Sequence, residues 1–474
     1  MFIGRKRELA LLNDLTRKKV ASFVVIKGRR RIGKSTLIKE FCKPYNHYIF
    51  SGLPPTSKST LTSQLNEFSH QISRQLNTPF IPFQDFSDAF WFLADKVKTD
   101  RIVIVLDEIS WLGSLDPDFL GKLKNIWDLN FKNNSKLILI VCGSVSAWIE
   151  KNILCSTGFV GRISLNIHLT ELSLFESNMF WNKHKNLISS YEKFKILSIT
   201  GGVPRYLEEI IITDTAEDNI KRICFTPEGF LFNEFDQIFY DTFLRKSDVY
   251  KKIILSLVDS PKEAKEIANI IQYNQNNAFS EYLHELELAG FIARDFTWQI
   301  IKKNISKISQ YRIKDNYLRF YLKYIYKNKN AITKGSYNYK NISSAPNWQS
   351  IMGFQFENLV LNNRQAIWNI LNISPDDVIF DNPYYQRKTT KQNGCQIDYM
   401  IQTKFNTLYL CEIKFSKNII KSNIIKEVKQ KIDSLNAKKN FSIRPVLINV
   451  CGVSEDVENS EFFAKIIDFG ILLI

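Results

Sequence analysis

The chain has 474 residues, 45% of them hydrophobic and 13% aromatic, a composition that excludes an extended disordered protein and, at this length, implies several cores rather than one. Lysine and arginine outnumber aspartate and glutamate by 64 to 48, a formal net charge of +16; this admits a polyanionic partner such as DNA or RNA, but lysine-rich solvated helix faces produce the same excess. No stretch reaches the ~18 apolar residues of a spanning helix, the N-terminus lacks an apolar signal-peptide core, and the seven cysteines form no C-x-x-C pair, so a cytoplasmic protein with buried thiols and no membrane partner is expected.

From Met1 to about Phe225, short β-branched runs alternate with longer amphipathic segments, the pattern of a helix-covered parallel sheet. Strands are predicted at 22–27, 48–51, 102–106, 137–141 and 163–169. The first, third and fourth are nearly continuous in apolar residues, as strands buried on both faces must be. Between the first strand and the next helix runs Gly28-Arg29-Arg30-Arg31-Ile32-Gly33-Lys34-Ser35-Thr36, which meets G-x-x-x-x-G-K-S/T at every fixed position. Its glycines let backbone N–H groups turn inward around phosphates, and the helix N-terminus adds partial positive charge. Lys34 is placed to reach the β and γ phosphates and Ser35 to ligate magnesium. The strand 102–106 delivers Asp107 and Glu108 at its C-terminal edge, expected beside the P-loop. Asp107 is expected to hold magnesium through water and Glu108 to polarise the attacking water. ATP and Mg2+ are the expected ligands, and ATP hydrolysis the expected reaction.

These elements resemble the AAA+-related ATPases of the archaeal ATPase family, often placed with the signal-transducing STAND NTPases. The likeness also draws on Phe2-Ile3-Gly4-Arg5-Lys6-Arg7-Glu8-Leu9, on the run 137–144 ending in Cys142-Gly143-Ser144, on Gly161-Arg162 and on Gly201-Gly202-Val203-Pro204. The resemblance implies sensor 1 at Ser144, adenine contacts near Ile3, Gly4 and Arg5, and a nucleotide contact at Pro204 in a helical lid. It also makes Arg162 or Arg205 a candidate for γ-phosphate sensing or an arginine finger; a homo-oligomer in which Arg162 acts in trans is left open. So are plainer readings, in which Arg162 forms an ordinary salt bridge and Gly201-Gly202 ends a helix.

Beyond about 228 the texture turns helical. Ser260-Pro261-Lys262-Glu263 reads as an N-cap hydroxyl, a proline at the first helical position and a capping-box glutamate. Phe279, Tyr282, Leu283 and Leu286 recur at helical spacing, Gly290 stops the run, and 291–294 reads as a strand. Three helices and a strand suggest a winged helix-turn-helix. Its third helix carries Glu281, Glu285 and Glu287, which would face phosphates unfavourably, so a scaffold role is expected ahead of DNA reading. Residues 301–330 hold nine Lys/Arg against one acid, interleaved with Tyr311, Tyr317, Phe320, Tyr321, Tyr324 and Tyr326. Such a surface can track a nucleic-acid backbone, but the spacing is helical and reads first as core.

The last segment runs helix 353–362, strands 378–380, 397–401 and 408–415, helix 423–435, strand 445–450. Asp398 precedes Glu412-Ile413-Lys414 by thirteen intervening residues, and Glu412 and Lys414, two apart, share one strand face. An E-x-K tripeptide alone occurs about twice by chance in a chain this long. The order is rarer: a helix with Glu357, a hairpin with Asp398, a strand with Glu412 and Lys414, then a helix with Gln430. It resembles the PD-(D/E)xK nuclease-like domain attached to the same ATPase family. The resemblance implies that Asp398 and Glu412 bind magnesium, that Lys414 orients water or stabilises charge, that Glu357 is an extra acid and that Gln430 is an accessory group.

The expected fold is multidomain α/β: a P-loop AAA+-type core (1–172), a helical lid (173–245), a winged helix (246–300), a basic aromatic helical linker (301–350) and a restriction-endonuclease-like α/β domain (351–474). The expected function is an ATP-hydrolysing molecular switch coupled to that last domain and acting on nucleic acid. The alternatives are a magnesium-dependent DNA endonuclease licensed by ATP and a DNA-binding regulator without nuclease activity.

Overall fold

The computed structural model describes residues 2–473 except 57, 145, 244–246, 338–341, 391, 436 and 438–439, with backbone alone at 239–243 and 247. The chain divides into two compact units, Met1–Thr170 and Glu171–Ile474.

In the first unit, β1 (Ser22–Lys27), β2 (Asn46–Ser51), β3 (Ile102–Asp107), β4 (Ile138–Gly143) and β5 (Ile163–His168) form one parallel sheet in the order β2-β3-β4-β1-β5. The most apolar runs take the centre: β1 and β4 are buried at every position, whereas β5, an edge strand, is only partly covered. Phe23, Val25, Ile104, Leu139 and Val141 pack against Phe68, Phe86, Phe90 and Phe119 of the covering helices. Phe86 and Phe119 meet edge-to-face at 4.9 Å, a favoured aromatic geometry.

Because every strand runs the same way, the strand ends preceding Gly28, Glu108 and Ser144 share one sheet edge. Asp107 lies beside the P-loop, with Ser35 Oγ 3.0 Å from Asp107 Oδ2, although β4 intervenes between β1 and β3, pairing Val24 with Ile140 and Ile104 with Leu139. The wholly apolar β4 needs neighbours on both edges, and taking them separates β1 from β3.

The second unit opens with helices and continues with Ser247–Ser256, Ala264–Ile270 and Asn277–Leu288, followed by the antiparallel hairpin β6 (Ile292–Gln299) and β7 (Asn304–Ile313). Two corrections arise. The middle helix begins at Ala264 rather than Pro261, with Glu266 Oε2 accepting the Glu263 N–H at 2.7 Å. Lys262 is instead held extended by paired backbone hydrogen bonds to Tyr311, 2.9 and 2.7 Å, which keeps Ser260-Pro261 out of the helix. In addition, β7 occupies residues expected to open the helical linker. The aromatic stripe after it is core, with Tyr317, Phe320, Tyr321 and Tyr324 all buried.

The C-terminal sheet has the order β12-β11-β10-β9-β8. β8 (Val378–Gln386), β9 (Cys395–Thr403) and β10 (Thr407–Ile413) form an antiparallel meander, and β11 (Ser442–Asn449) and β12 (Lys465–Asp468) run parallel to β10. One face receives Phe356, Leu359 and Val360 of the helix Trp348–Asn362. The other receives Ile424 and Val428 of the helix Asn423–Ser434, together with Leu408 and Leu410. Period-two alternation along β10 therefore turns Glu412 toward the latter helix. The wing hairpin is tied to this sheet: Trp298 Nε1 donates to Gln402 Oε1 (2.6 Å), and Thr297 Oγ1 to the Tyr385 carbonyl (2.9 Å).

Candidate functional site

Each unit gathers one cluster of chemistry-bearing side chains. In the first, Gly28 has φ 155° and a Cβ there would lie 2.5 Å from the Leu169 carbonyl oxygen, while Gly33 has φ 91°; both positions require glycine. The helix Lys34–Cys42 starts immediately after Gly33. Ser35 and Thr36 are exposed. Lys34 is buried, and its ammonium donates to the Gly28 and Arg29 carbonyls at 2.9 and 3.2 Å. Burial holds this ammonium below the ordinary lysine range, against the opposing pull of Glu108, Cys142 and Asp107.

Side chains bridge the strand-wide gap that β4 introduces. Ser35 Oγ donates to Asp107 Oδ2 at 3.0 Å. The other oxygen, Oδ1, accepts from the Glu108 N–H at 3.0 Å and the Cys142 thiol at 2.8 Å. Burial pushes that thiol well up, so it remains a donor. Glu108 adopts a left-handed conformation, φ 49°, a local strain of the kind found at functional edges. Its Oε2 accepts from both the N–H and the Oγ of Ser144, at 3.1 and 3.0 Å. Lys34, Ser35, Asp107, Glu108 and Ser144 thus form one connected group, to which Cys142 is an addition that sequence reading missed. Its signal was its place two residues before Ser144 on an apolar strand.

Arg30 lies over the Trp111 ring at 5.8 Å, Arg31 is left-handed at φ 67°, and Ile32 is fully buried. Ile3 and Gly4 are half-buried, but Arg5 is turned inward, donating to the Ile32 and Thr170 carbonyls at 2.9 and 2.6 Å. It braces the P-loop from behind. Arg162 requires a correction. It forks onto Asp128 through Nε and Nη2 at 2.9 and 2.8 Å, and it precedes β5 at the sheet edge opposite the P-loop. At about 3.3 Å per residue the six steps to His168 span roughly 20 Å, so Arg162 is no γ-phosphate sensor for its own nucleotide. Pro204 and Arg205 belong to the second unit. Pro204 opens the short helix Pro204–Leu207, and Arg205 pairs with Glu208 and Glu209 at 3.1 and 2.6 Å.

In the second unit, the antiparallel register Leu410↔Met400, Cys411↔Tyr399 continues to bring Asp398 alongside Glu412. Asp398 Oδ2 accepts the Ile413 N–H at 2.9 Å. Glu412 is 1% exposed. Lys414, one residue past β10, sits 3.0 Å from Glu412 Oε1 and 3.3 Å from Glu427 Oε2. Burial and the Glu412 carboxylate push Asp398 above the usual carboxylate range. Burial and the Asp398 carboxylate do the same to Glu357, with Arg319 and Arg312 opposing. Glu357 lies near enough to Asp398 and Glu412 to feel both carboxylates, while among the described residues no three His, Cys, Asp or Glu side chains group as a metal cage. One expectation is corrected. Gln430 is exposed, and its neighbour Lys431 turns inward, 2.5 Å from Glu412 Oε2 and 3.5 Å from Asp398 Oδ1. The helix buries Ile424 and Val428, and position 431 continues that stripe at i+7 while 430 falls beside it. That periodicity was the missed signal.

Among the described residues no helix is long and apolar enough to cross a membrane. Residues 2–210 match the family described as "ATPase domain predominantly from Archaea". An uncharacterized protein of Methanocaldococcus jannaschii is 28% identical over 360 residues, covering 75% of this chain and 76% of its own length. An uncharacterized ATP-binding protein of the same archaeon is 44% identical over 41 residues, 9% of this chain and 70% of that protein. The Walker-type ATPase of Pyrococcus abyssi superposes with a TM-score of 0.51 at 14% identity, covering 68% of this chain and 96% of its own, a likeness of fold. Residues 2–210 thus match an ATPase domain of the archaeal type.

Proposed function

We propose that this chain is a nucleotide-driven switch in which ATP bound and hydrolysed by the first unit controls the carboxylate–lysine cluster of the second, acting on a nucleic acid. The observation that carries the reading is the contact between Ser35 Oγ and Asp107 Oδ2 at 3.0 Å, which joins the phosphate loop to the acid of the neighbouring motif. Hydroxyl and carboxylate oxygens are the hard donors that suit Mg2+, so Ser35 and Asp107 fit it as ligands. Magnesium, when bound, neutralises charge on the β and γ phosphate oxygens. Lys34 exchanges the Gly28 and Arg29 carbonyls for phosphate oxygens, and the N–H groups of 29–36 surround the β phosphate. Glu108, released from Ser144, orients the water that attacks the γ phosphorus as the bond to ADP breaks. Ser144 then faces the γ phosphate as a donor. Ile3, Gly4 and Arg5 border the adenine, and Arg162 of a neighbouring copy in a homo-oligomer is the remaining cationic partner.

In the second unit, Asp398 and Glu412 present paired hard oxygens of the kind that accept Mg2+, with Lys414 adjacent. Exposed Lys426 and Lys429 on the helix beside them suit a phosphate backbone. These features support a PD-(D/E)xK nuclease-like domain, and an endonuclease licensed by ATP is the second reading. A regulator acting through the winged helix is less favoured, because its hairpin is occupied by packing against β8 and β9. Incubating the full chain with labelled DNA or RNA, Mg2+ and ATP decides between the readings. ATP-dependent strand cleavage that Asp398→Ala abolishes, with ATP hydrolysis retained, establishes the nuclease; binding without cleavage leaves the switch.

A further inference from the structure

The Lys431 ammonium occupies a place that no feature of an ordinary ion pair demands. It does not reach one carboxylate at the surface; it bridges two inside the fold, 2.5 Å from Glu412 Oε2 and 3.5 Å from Asp398 Oδ1. Lys414 is different, touching only the other oxygen of Glu412 and reaching outward to Glu427. Glu412 is 1% exposed, and two adjacent carboxylates with so little water around them require a cation between them. The bridging point that Lys431 fills is also the point where a single ion would share oxygens from both acids. Its side chain projects from the helix Asn423–Ser434, which is anchored by Ile424 and Val428, and a lysine ammonium sits at the end of a flexible four-carbon stem.

We propose that Lys431 is a built-in counter-cation that competes with a divalent metal ion for Asp398 and Glu412, so that the ion binds only when the ammonium swings away. The proposal rests on the reading of that pair as a metal site. Lys431 then sets the ion concentration at which the second unit is loaded, and a phosphate-bearing ligand that draws the displaced ammonium promotes loading. A unit positive charge within a few ångströms of a cation site weakens that site strongly when water is excluded.

The test is calorimetric titration of the nucleotide-free full chain with Mn2+, taking the Asp398→Ala protein as the blank that removes uptake elsewhere. Lys431→Met and Lys431→Gln are compared with the charge-retaining Lys431→Arg, and circular dichroism checks that each is folded. The Met and Gln variants are expected to bind Mn2+ at least ~10-fold more tightly than the wild type, with the Arg variant unchanged. Their melting temperatures are expected to fall without the ion and recover with it. Wild-type binding that persists while the Met and Gln variants match it or bind more weakly overturns the competition and leaves the metal site standing. Absence of any Asp398-dependent uptake in every protein overturns both.

Discussion

Asp107 carries two separate constraints on one carboxylate, and the difference between them is measurable. Oδ2 faces Ser35, while Oδ1 is held by the Glu108 N–H and the Cys142 thiol. Cys142→Ala removes one of those donors and lets the carboxylate turn. At about 1 kcal/mol for the lost hydrogen bond, the Mg2+ concentration for half-maximal ATP hydrolysis is expected to rise several-fold, with the KM for ATP at saturating Mg2+ unchanged. Cys142→Ser, which keeps a donor, is expected to stay near wild type; identical behaviour of the two variants contradicts the assignment. Glu108→Gln keeps a Ser144 partner but weakens the hold on water, so ATP binding is expected to persist while turnover falls at least ~100-fold, as read by nucleotide binding against phosphate release. The grouping of Gly28, Lys34, Ser35, Asp107 and Glu108 was legible in the sequence because the two motifs set fixed residue types at fixed spacing at the ends of apolar strands. Cys142 and Lys431 were not, since a thiol in an apolar strand and a lysine on a polar helix look alike whether or not they touch a carboxylate.

At the scale of elements, local signals held wherever they agreed with long-range pairing. The buried strands announced themselves by continuous apolar runs, and their phenylalanine-rich covering is expected to be unforgiving. Phe90 is buried against Phe68 and Phe119 at 5.8 and 5.6 Å, so Phe90→Ala should cost ~3–5 kcal/mol in chemical denaturation. The start of the helix Ala264–Ile270 shows the opposite case. Ser260-Pro261-Lys262-Glu263 is a strong local start signal, yet the bridge between Lys262 and Tyr311 overrides it. Ser260→Ala is therefore expected to change stability by less than ~0.5 kcal/mol, whereas Glu266→Ala, which loses the hydrogen bond to the Glu263 N–H, should cost about 1 kcal/mol. A reversed ranking in urea denaturation would restore the earlier helix start. Strand order was illegible for a related reason: nothing local in 138–143 says which strands it will separate.

For the whole molecule, two compact units each carry a set of acids and lysines suited to phosphate chemistry, and the net charge of +16 fits a polyanionic ligand without identifying it. The α/β character of both units was legible from alternating strands and helices, whereas the contact between the wing hairpin and the C-terminal sheet was not, because Trp298 and Gln402 lie far apart in sequence. The claim on which the account depends is that the connected group of Lys34, Ser35, Asp107, Glu108 and Ser144 hydrolyses ATP. Phosphate release from ATP by the full chain in Mg2+ measures it directly. Steady hydrolysis is expected, reduced at least ~100-fold by Lys34→Ala and left intact by Asp398→Ala. Absence of hydrolysis in the folded wild type, or hydrolysis that survives Lys34→Ala, would contradict it.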